Sequence, residues 1–373
     1  MLNPMLFDLI AMVLKVAVAL LIALQVAPIM VWVERRQAAM IQRRVGPNRV
    51  GLFGFRMFGL GQPLADTIKL IFKEDFVPKQ ANKVFYVMAP MITGLAGLVA
   101  IVGLPLGSYV EVFGTRVNLQ PVELNAGFLY LFAVSALGVY GAALAGWSSN
   151  NKYALLGGLR ASAQMVSYEI AMGMSLLPIV IIFGTLNMQD IIAAQSGHLL
   201  FGFLPAWGVF YAPVSMCIFV VCMFAETNRL PFDLAEGEAE LVAGFLTEYG
   251  SMRWSLFFLG EYAMMTTLSG LAVCLFFGGY EIPWLPQTRI LELLTGAGLG
   301  RELALWVMFP LGLGVLLGKI AVFMFLFVQA RFTLPRFRYD QLMDLGWKIM
   351  FPFALANLVV SAVWAAIAKF GLP

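Results

Sequence analysis

Charge is scarce in this chain. Of its 373 residues only 12% are Asp, Glu, Lys or Arg, about half the roughly 25% of a soluble globular domain, so water is excluded as its main solvent. Histidine occurs once, as His198 in a predicted loop, which argues against haem held by paired histidines inside a helix bundle. The three cysteines, Cys217, Cys222 and Cys274, lie within apolar runs and lack the paired spacing of a zinc or iron–sulfur site. They read as small packing residues, and no metal or iron–sulfur cluster is expected on this chain. GPNRVGLFG has neither a P-loop pattern nor a dinucleotide fingerprint, so nucleotide binding is not expected. No Ser/His/Asp or Cys/His set is available for nucleophilic hydrolysis, and no nucleic-acid partner is expected.

What is abundant is apolar sequence: 61% of the residues are hydrophobic. Runs of about 20 residues, enough to cross a hydrocarbon layer as helices, recur at roughly 9–33, 84–105, 125–147, 163–184, 206–226, 255–279, 303–328 and 350–369. The expected fold is an all-α integral membrane protein with about eight transmembrane helices, forming a single membrane domain over 1–373. The first run is too long for a signal-peptide core and is read as a retained span. If the loops alternate sides, most of the 24 Lys and Arg fall on one face, with only Arg116, Arg289 and Arg301 in the opposite loops. The positive-inside rule makes the Arg-rich face cytoplasmic, or the matrix face of an organelle, with both termini on the other side.

Two inward segments exceed plain turns, 34–83 and 226–254. In the first, QPLADTIKLIFK reads as a short interfacial amphipathic helix, with Pro63 in its first turn and Leu64, Ile68, Ile71 and Phe72 on one face. Asp66, Lys69 and Lys73 lie away from that face. Around it, Arg35, Arg36, Arg43, Arg44, Arg49 and Arg56 mix with Phe53, Phe55 and Phe58. Positive-inside topology and headgroup contact explain part of this, yet Gly46, Pro47, Asn48 and Gly51 fix a folded loop, which points to a docked partner or a lined cavity. In the second segment Pro231 breaks the chain, and DLAEGEAELVAGF then alternates acids with small and apolar residues. The loops on the opposite face, IPWLPQ among them, read as connections with little chemistry.

Ionisable groups inside the apolar runs need an offset, because a charge near a helix centre costs about 2.5 to 3.5 kcal/mol on insertion scales. Glu169 and Glu261 lie about two turns inside their runs and Glu226 ends the fifth. Each taken singly could reach the headgroups and do nothing. Together with Asp66 they would converge on the inward half of the bundle, beside the acidic segment. Carboxylates partly withdrawn from water exchange protons near neutral pH, which suits a proton relay. Lys319 either pairs with one of these acids or extends its stem to the interface. Glu123 reads as a boundary residue.

With those residues in view, the sequence resembles the family of the H subunit, also called subunit 1, in the membrane arm of NADH:quinone oxidoreductase, respiratory complex I. The resemblance rests on VERRQAAMIQRRVGPNRVG, QPLADTIKLIFKE, LLGGLRASAQMVSYEIAMG, AETNRLPFDLAEGEAELVAGFLTEY, the following GEYAMM, and RFTLPRFRYDQLMDLGWK. It implies an oxidoreductase subunit whose redox centres and NADH site lie on other subunits. Such a subunit anchors the hydrophilic arm and forms most of the tunnel by which a quinone, ubiquinone or menaquinone, enters from the bilayer. By the same resemblance, Glu34, Arg35, Arg36, Asp66, Arg229, Phe232 and Asp233 would meet the quinone. The proton pathway would comprise Glu169, Glu226, Asp233, Glu236, Glu238, Glu240, Glu248 and Glu261, and Arg160 and Arg229 match basic positions of the family. Implied partners are the other complex I subunits, membrane lipids and the quinone. The loop from Gly279 to Glu302 is longer than in animal mitochondrial members, which favours a bacterial inner membrane over a mitochondrial one.

Three rivals remain at this level. The equivalent membrane subunit of a membrane-bound hydrogenase or formate-oxidising complex would share the fold with another acceptor. A free-standing transporter would show repeated halves with interrupted helices at matching positions, and none is evident. A purely structural anchor would have no use for intramembrane acids.

Overall fold

The computed structural model describes residues 4–370 apart from 52–57, 113, 198, 201–202, 236 and 238–241. The first helix, α1 (Pro4–Ile41), runs 38 residues, about 57 Å at 1.5 Å per residue. A hydrocarbon core is about 30 Å thick, so α1 overruns it and carries Glu34, Arg35 and Arg36 out at its C-terminal end. Along its apolar length one stripe is buried, through Ala19, Ala23, Ala27 and Met30, and at the C-terminal end Gln37, Ala38 and Ala39 are buried as well; the stripe is the small-residue seam expected where lipid-solvated helices pack closely. The interfacial helix is present as α2 (Gln62–Phe72), with a proline in its first turn and no buried residue. Leu64, Ile68, Ile71 and Phe72 are all exposed on it, an apolar face turned away from the bundle.

The remaining spans are α3 (Lys83–Ala100), α4 (Gly127–Ser148) and α5 (Lys152–Phe183), followed after short α6 (Met188–Gln195) and α7 (Gly208–Tyr211) by α8 (Pro213–Glu226) and α9 (Ser251–Phe276). Then come α10 (Gln287–Gly296), α11 (Arg301–Thr333), α12 (Tyr339–Asp344) and α13 (Phe351–Phe370), the last two joined by a π-helical stretch at Leu345–Met350. Seven helical segments are long and apolar enough to cross a membrane among the described residues, the last of them spanning α12 to α13.

The fifth expected span, 206–226, departs from the expectation of a continuous helix. Pro213 opens α8 and Ala212 has left the helical region, at φ −137° and ψ 63°. A proline lacks the N–H that would continue the ladder and pushes the residue before it out of the α region. The 14 residues of α8 therefore cover only about 21 Å, with the four residues of α7 preceding the break.

Helix α9 is the axis of the bundle. Every residue from Tyr262 to Phe276 is buried, as a helix apolar all round should be. It reaches this position because its neighbours yield space: a Cβ on Gly97 of α3 would stand 2.4 Å from the Gly260 carbonyl oxygen, so the backbones touch. Gly97→Leu should separate α3 from α9 and abolish accumulation of the protein in membranes, whereas Gly314→Leu, in open space, should accumulate normally on an immunoblot. Cross-helix hydrogen bonds fix the alternation of directions. Asn82 donates to the Ser148 carbonyl at the Arg-rich end, and Gln189 donates to the Gly107 carbonyl at the far end.

Candidate functional site

The turn after α8 organises the site. Thr227 Oγ1 donates to the Met223 carbonyl at 3.0 Å, closing the helix, and Asn228 adopts a left-handed conformation with φ 49°, which Asn tolerates better than most residues. Buried Gln164 of α5 locks this turn by donating through Nε2 to the Ala225 carbonyl at 2.7 Å and to Asn228 Oδ1 at 3.0 Å. The result is that Arg229 points inward between helices. Its guanidinium lies 3.8 Å from Glu34 of α1 and 3.5 Å from Glu261 of α9, and 4.5 Å from the ring centroid of Tyr262.

Arg331 of α11 makes a second, closer ion pair with Glu34, and the Tyr262 hydroxyl donates to the other Glu34 oxygen. Four elements thus converge on one carboxylate. These side chains are withdrawn from solvent, Glu34 being 12%, Glu261 13% and Arg229 8% exposed. Isolated charges would not be tolerated there, and the arrangement meets the requirement that buried charges be paired and hydrogen-bonded.

Glu226 and Glu261 line the same small cavity, about 40 Å³, with Thr93, Ser135, Met165 and Asn228. A water needs about 10–15 Å³ measured this way, so the cavity that both residues line has room for one or more. Glu226 is 1% exposed, and neither of its oxygens has a hydrogen bond from a described residue. Glu169, partly buried on α5, is near enough to act on Glu226 electrostatically. A water-sized space lined by two acids is a setting in which water could bridge them.

Asp233 sits beyond α8 in the acidic segment, with Arg336 Nη2 donating to it at 2.8 Å. Burial pushes its carboxyl above the usual range, against the pull of Arg336, Arg331 and Arg229. The Phe337 amide donates to the Pro231 carbonyl, so the residues after α11 hold this segment in place.

Not every expected site residue gathers here. Asp66 pairs with Arg35 at 2.7 Å and accepts from Gln62, where α2 meets α1. Arg36 lies 6.0 Å from the Phe58 ring. Phe232 is 4% exposed and packs edge-on to Tyr168 and against Phe337, each at 5.4 Å. Glu248 is drawn away to Asn151, which donates to it at 2.7 Å beside Lys79 and Lys152. Arg160 stacks over Tyr339 at 5.5 Å. Glu236, Glu238 and Glu240 lie outside the described residues. Glu123, in the segment before α4, is largely exposed and 3.7 Å from Lys15.

Lys319 directs its ammonium to backbone carbonyls rather than to Glu169, Glu226 or Glu261. Its Nζ donates to the carbonyls of Phe277, Gly279 and Glu281, each at 2.8 Å, beyond the C-terminal end of α9. Sequence reasoning missed Arg331, Arg336, Tyr262 and Gln164. The first two stand in RFTLPRFRYD, whose dense basic content was the available signal. A single buried Gln and a Tyr next to Glu261 carry no such mark.

A family model described as NADH dehydrogenase matches residues 14–362. The chain is 45% identical over 372 residues to the H subunit of the NADH-quinone oxidoreductase of Bdellovibrio bacteriovorus, covering 94% of each chain. It is 43% identical over 359 residues to the H subunit numbered 1 of the Geobacter metallireducens NADH-quinone oxidoreductase, covering 96% of this chain and 98% of the relative. To the H subunit of Flavobacterium psychrophilum it is 44% identical over 335 residues, with 89% and 90% covered. The match encloses Glu34, Arg229, Glu261 and Arg331 together with most of all seven long apolar segments, and this multi-pass membrane protein belongs to the NADH dehydrogenase family, among the H subunits of NADH-quinone oxidoreductases.

Proposed function

We propose that this chain is the complex I membrane-arm subunit that admits a quinone from the bilayer, anchors the hydrophilic arm, and passes the consequence of quinone reduction to buried acids. The observation that carries the reading is Arg229, shared between Glu34 at the lipid-facing first helix and Glu261 in the bundle axis. Quinone reduction takes up two electrons and two protons, and the electrons would come from a centre on a neighbouring subunit. A transiently negative quinone near Glu34, Arg35 and Asp66 draws on the same cations that hold Glu34 and Glu261. Any loss of that cationic charge raises the proton affinity of the carboxyl groups left behind. Glu261 and Glu226, facing one cavity, then take up or hand on a proton, with Glu169 as the next acid.

The exposed apolar face of α2 and the Arg-rich loops fit lipid contact and docking of the hydrophilic subunits. By the positive-inside rule that end faces the cytoplasm and the termini face the periplasm of a bacterial inner membrane. A photoreactive quinone analogue in the intact complex should label peptides containing Glu34, Arg35 or Asp66, and a specific inhibitor should compete. Labelling confined to other subunits would contradict a tunnel through this chain and favour a related complex with a different acceptor.

A further inference from the structure

At the end opposite the arginines, loops that read as plain connections build a cavity of about 860 Å³. Its walls come from a hairpin, β1 (Tyr109–Val112) paired with β2 (Thr115–Asn118), from the start of α6, and from the segment after α9. Tyr109, Arg116, Asn187, Asp190, Tyr280 and Glu281 line it. Glu281 is only 8% exposed, and its Oε2 has no hydrogen bond from a described residue. We propose that this cavity is the subunit's proton-exchange site with the aqueous phase on that side, that Glu281 is the exchanging group, and that Lys319 is its positioning residue.

The geometry of Lys319 gives the reason it does not cap Glu281 Oε2. An ammonium has three donors, and all three are used on the backbone carbonyls of Phe277, Gly279 and Glu281. Lys319 therefore clamps the chain at the end of α9 and fixes where Glu281 stands, while no proton remains with which to cap its carboxylate. The turn is further held by the Tyr280 hydroxyl, which donates to Gln189 Oε1 at 2.6 Å. A polar space of this size accommodates many waters, so the carboxyl group can release a proton to water as hydronium and become a carboxylate.

Arg116 is stacked 3.7 Å over the Tyr109 ring, Glu123 is paired with Lys15, Asp190 stands near Thr185, and Lys319 lies beneath. Burial dominates and pushes the Glu281 carboxyl up to about 7, against Ser196, Lys319 and the Gln287 backbone, which pull it down. Both protonation states are thus populated near neutral pH.

The use of this site in pumping rests on the proposed relay, but its titration does not. In the intact complex in sealed proteoliposomes, a carboxyl C=O infrared band should titrate near pH 7, disappear in Glu281→Gln and return, shifted, in Glu281→Asp. Protons delivered across the membrane per quinone reduced should fall about twofold or more in Glu281→Gln, with uncoupled quinone reduction within about twofold of the parent. Absence of the band from the parent, or its persistence in Glu281→Gln, overturns the site. Unchanged delivery in Glu281→Gln alongside impaired delivery in Glu261→Gln overturns the site and leaves the relay standing. Unchanged delivery in Glu261→Gln counts against the relay instead, and the Glu281 titration alone then decides the site.

Discussion

Arg229→Met should lower the stability of the subunit by about 3–5 kcal/mol, the range for removing one member of a buried ion pair. Met preserves the length and apolar stem of the side chain but leaves Glu261, which lines a small cavity, without the cation that lies 3.5 Å from it. Glu34 keeps Arg331, so the damage should centre on α9 and the turn after α8. Thermal inactivation of quinone reductase activity in the purified complex is the measurement, and a midpoint unchanged from the parent would show that Arg229 holds nothing together. Arg229→Lys should restore part of the stability. A compact ammonium cannot span two carboxylates as a planar fork does, and quinone reduction should recover less than stability.

Glu226→Gln should have the opposite character. Both Glu226 oxygens are buried without a hydrogen bond from a described residue, so the carboxyl group brings a desolvation cost that no described side chain or backbone group offsets. The amide cannot ionise, and the variant should match or exceed the parent in thermal stability. Proton delivery should nevertheless fall by about a hundredfold or more, the scale of a positioned proton-transfer group. Stability retained with delivery lost separates a protonic role from a structural one. Loss of both would make Glu226 a packing residue.

How far the sequence foretold this arrangement depends on which force decides each feature. The spans were legible because about 20 apolar residues have one stable solution in lipid, and α2 because Leu64, Ile68, Ile71 and Phe72 keep helical spacing. The break at Ala212 was signalled by Pro213 but hidden by the hydropathy of its flanks, which is high on both sides. Glu261 lies ten residues into α9, which begins at Ser251, deeper than the apolar run alone implied, because MRWS continues the helix below the run. Its pairing with Arg229 follows from a turn held by Gln164, a contact between residues more than 60 positions apart. Glu248 read as one of the acids of the pathway, and only the fold shows that Asn151 holds it elsewhere. The far-end cavity was invisible because its walls come from three connections, none with a chemical motif of its own.

The central claim is that quinone reduction at the Arg-rich end is coupled to proton movement through Glu226 and Glu261. Its most direct test is the ratio of protons delivered to quinone reduced by the Glu261→Gln complex in sealed proteoliposomes, with the uncoupled quinone reductase rate measured on the same preparation. The ratio should fall sharply while uncoupled reduction of quinone persists. A ratio equal to the parent's, in a variant assembled to the same level, would contradict the claim.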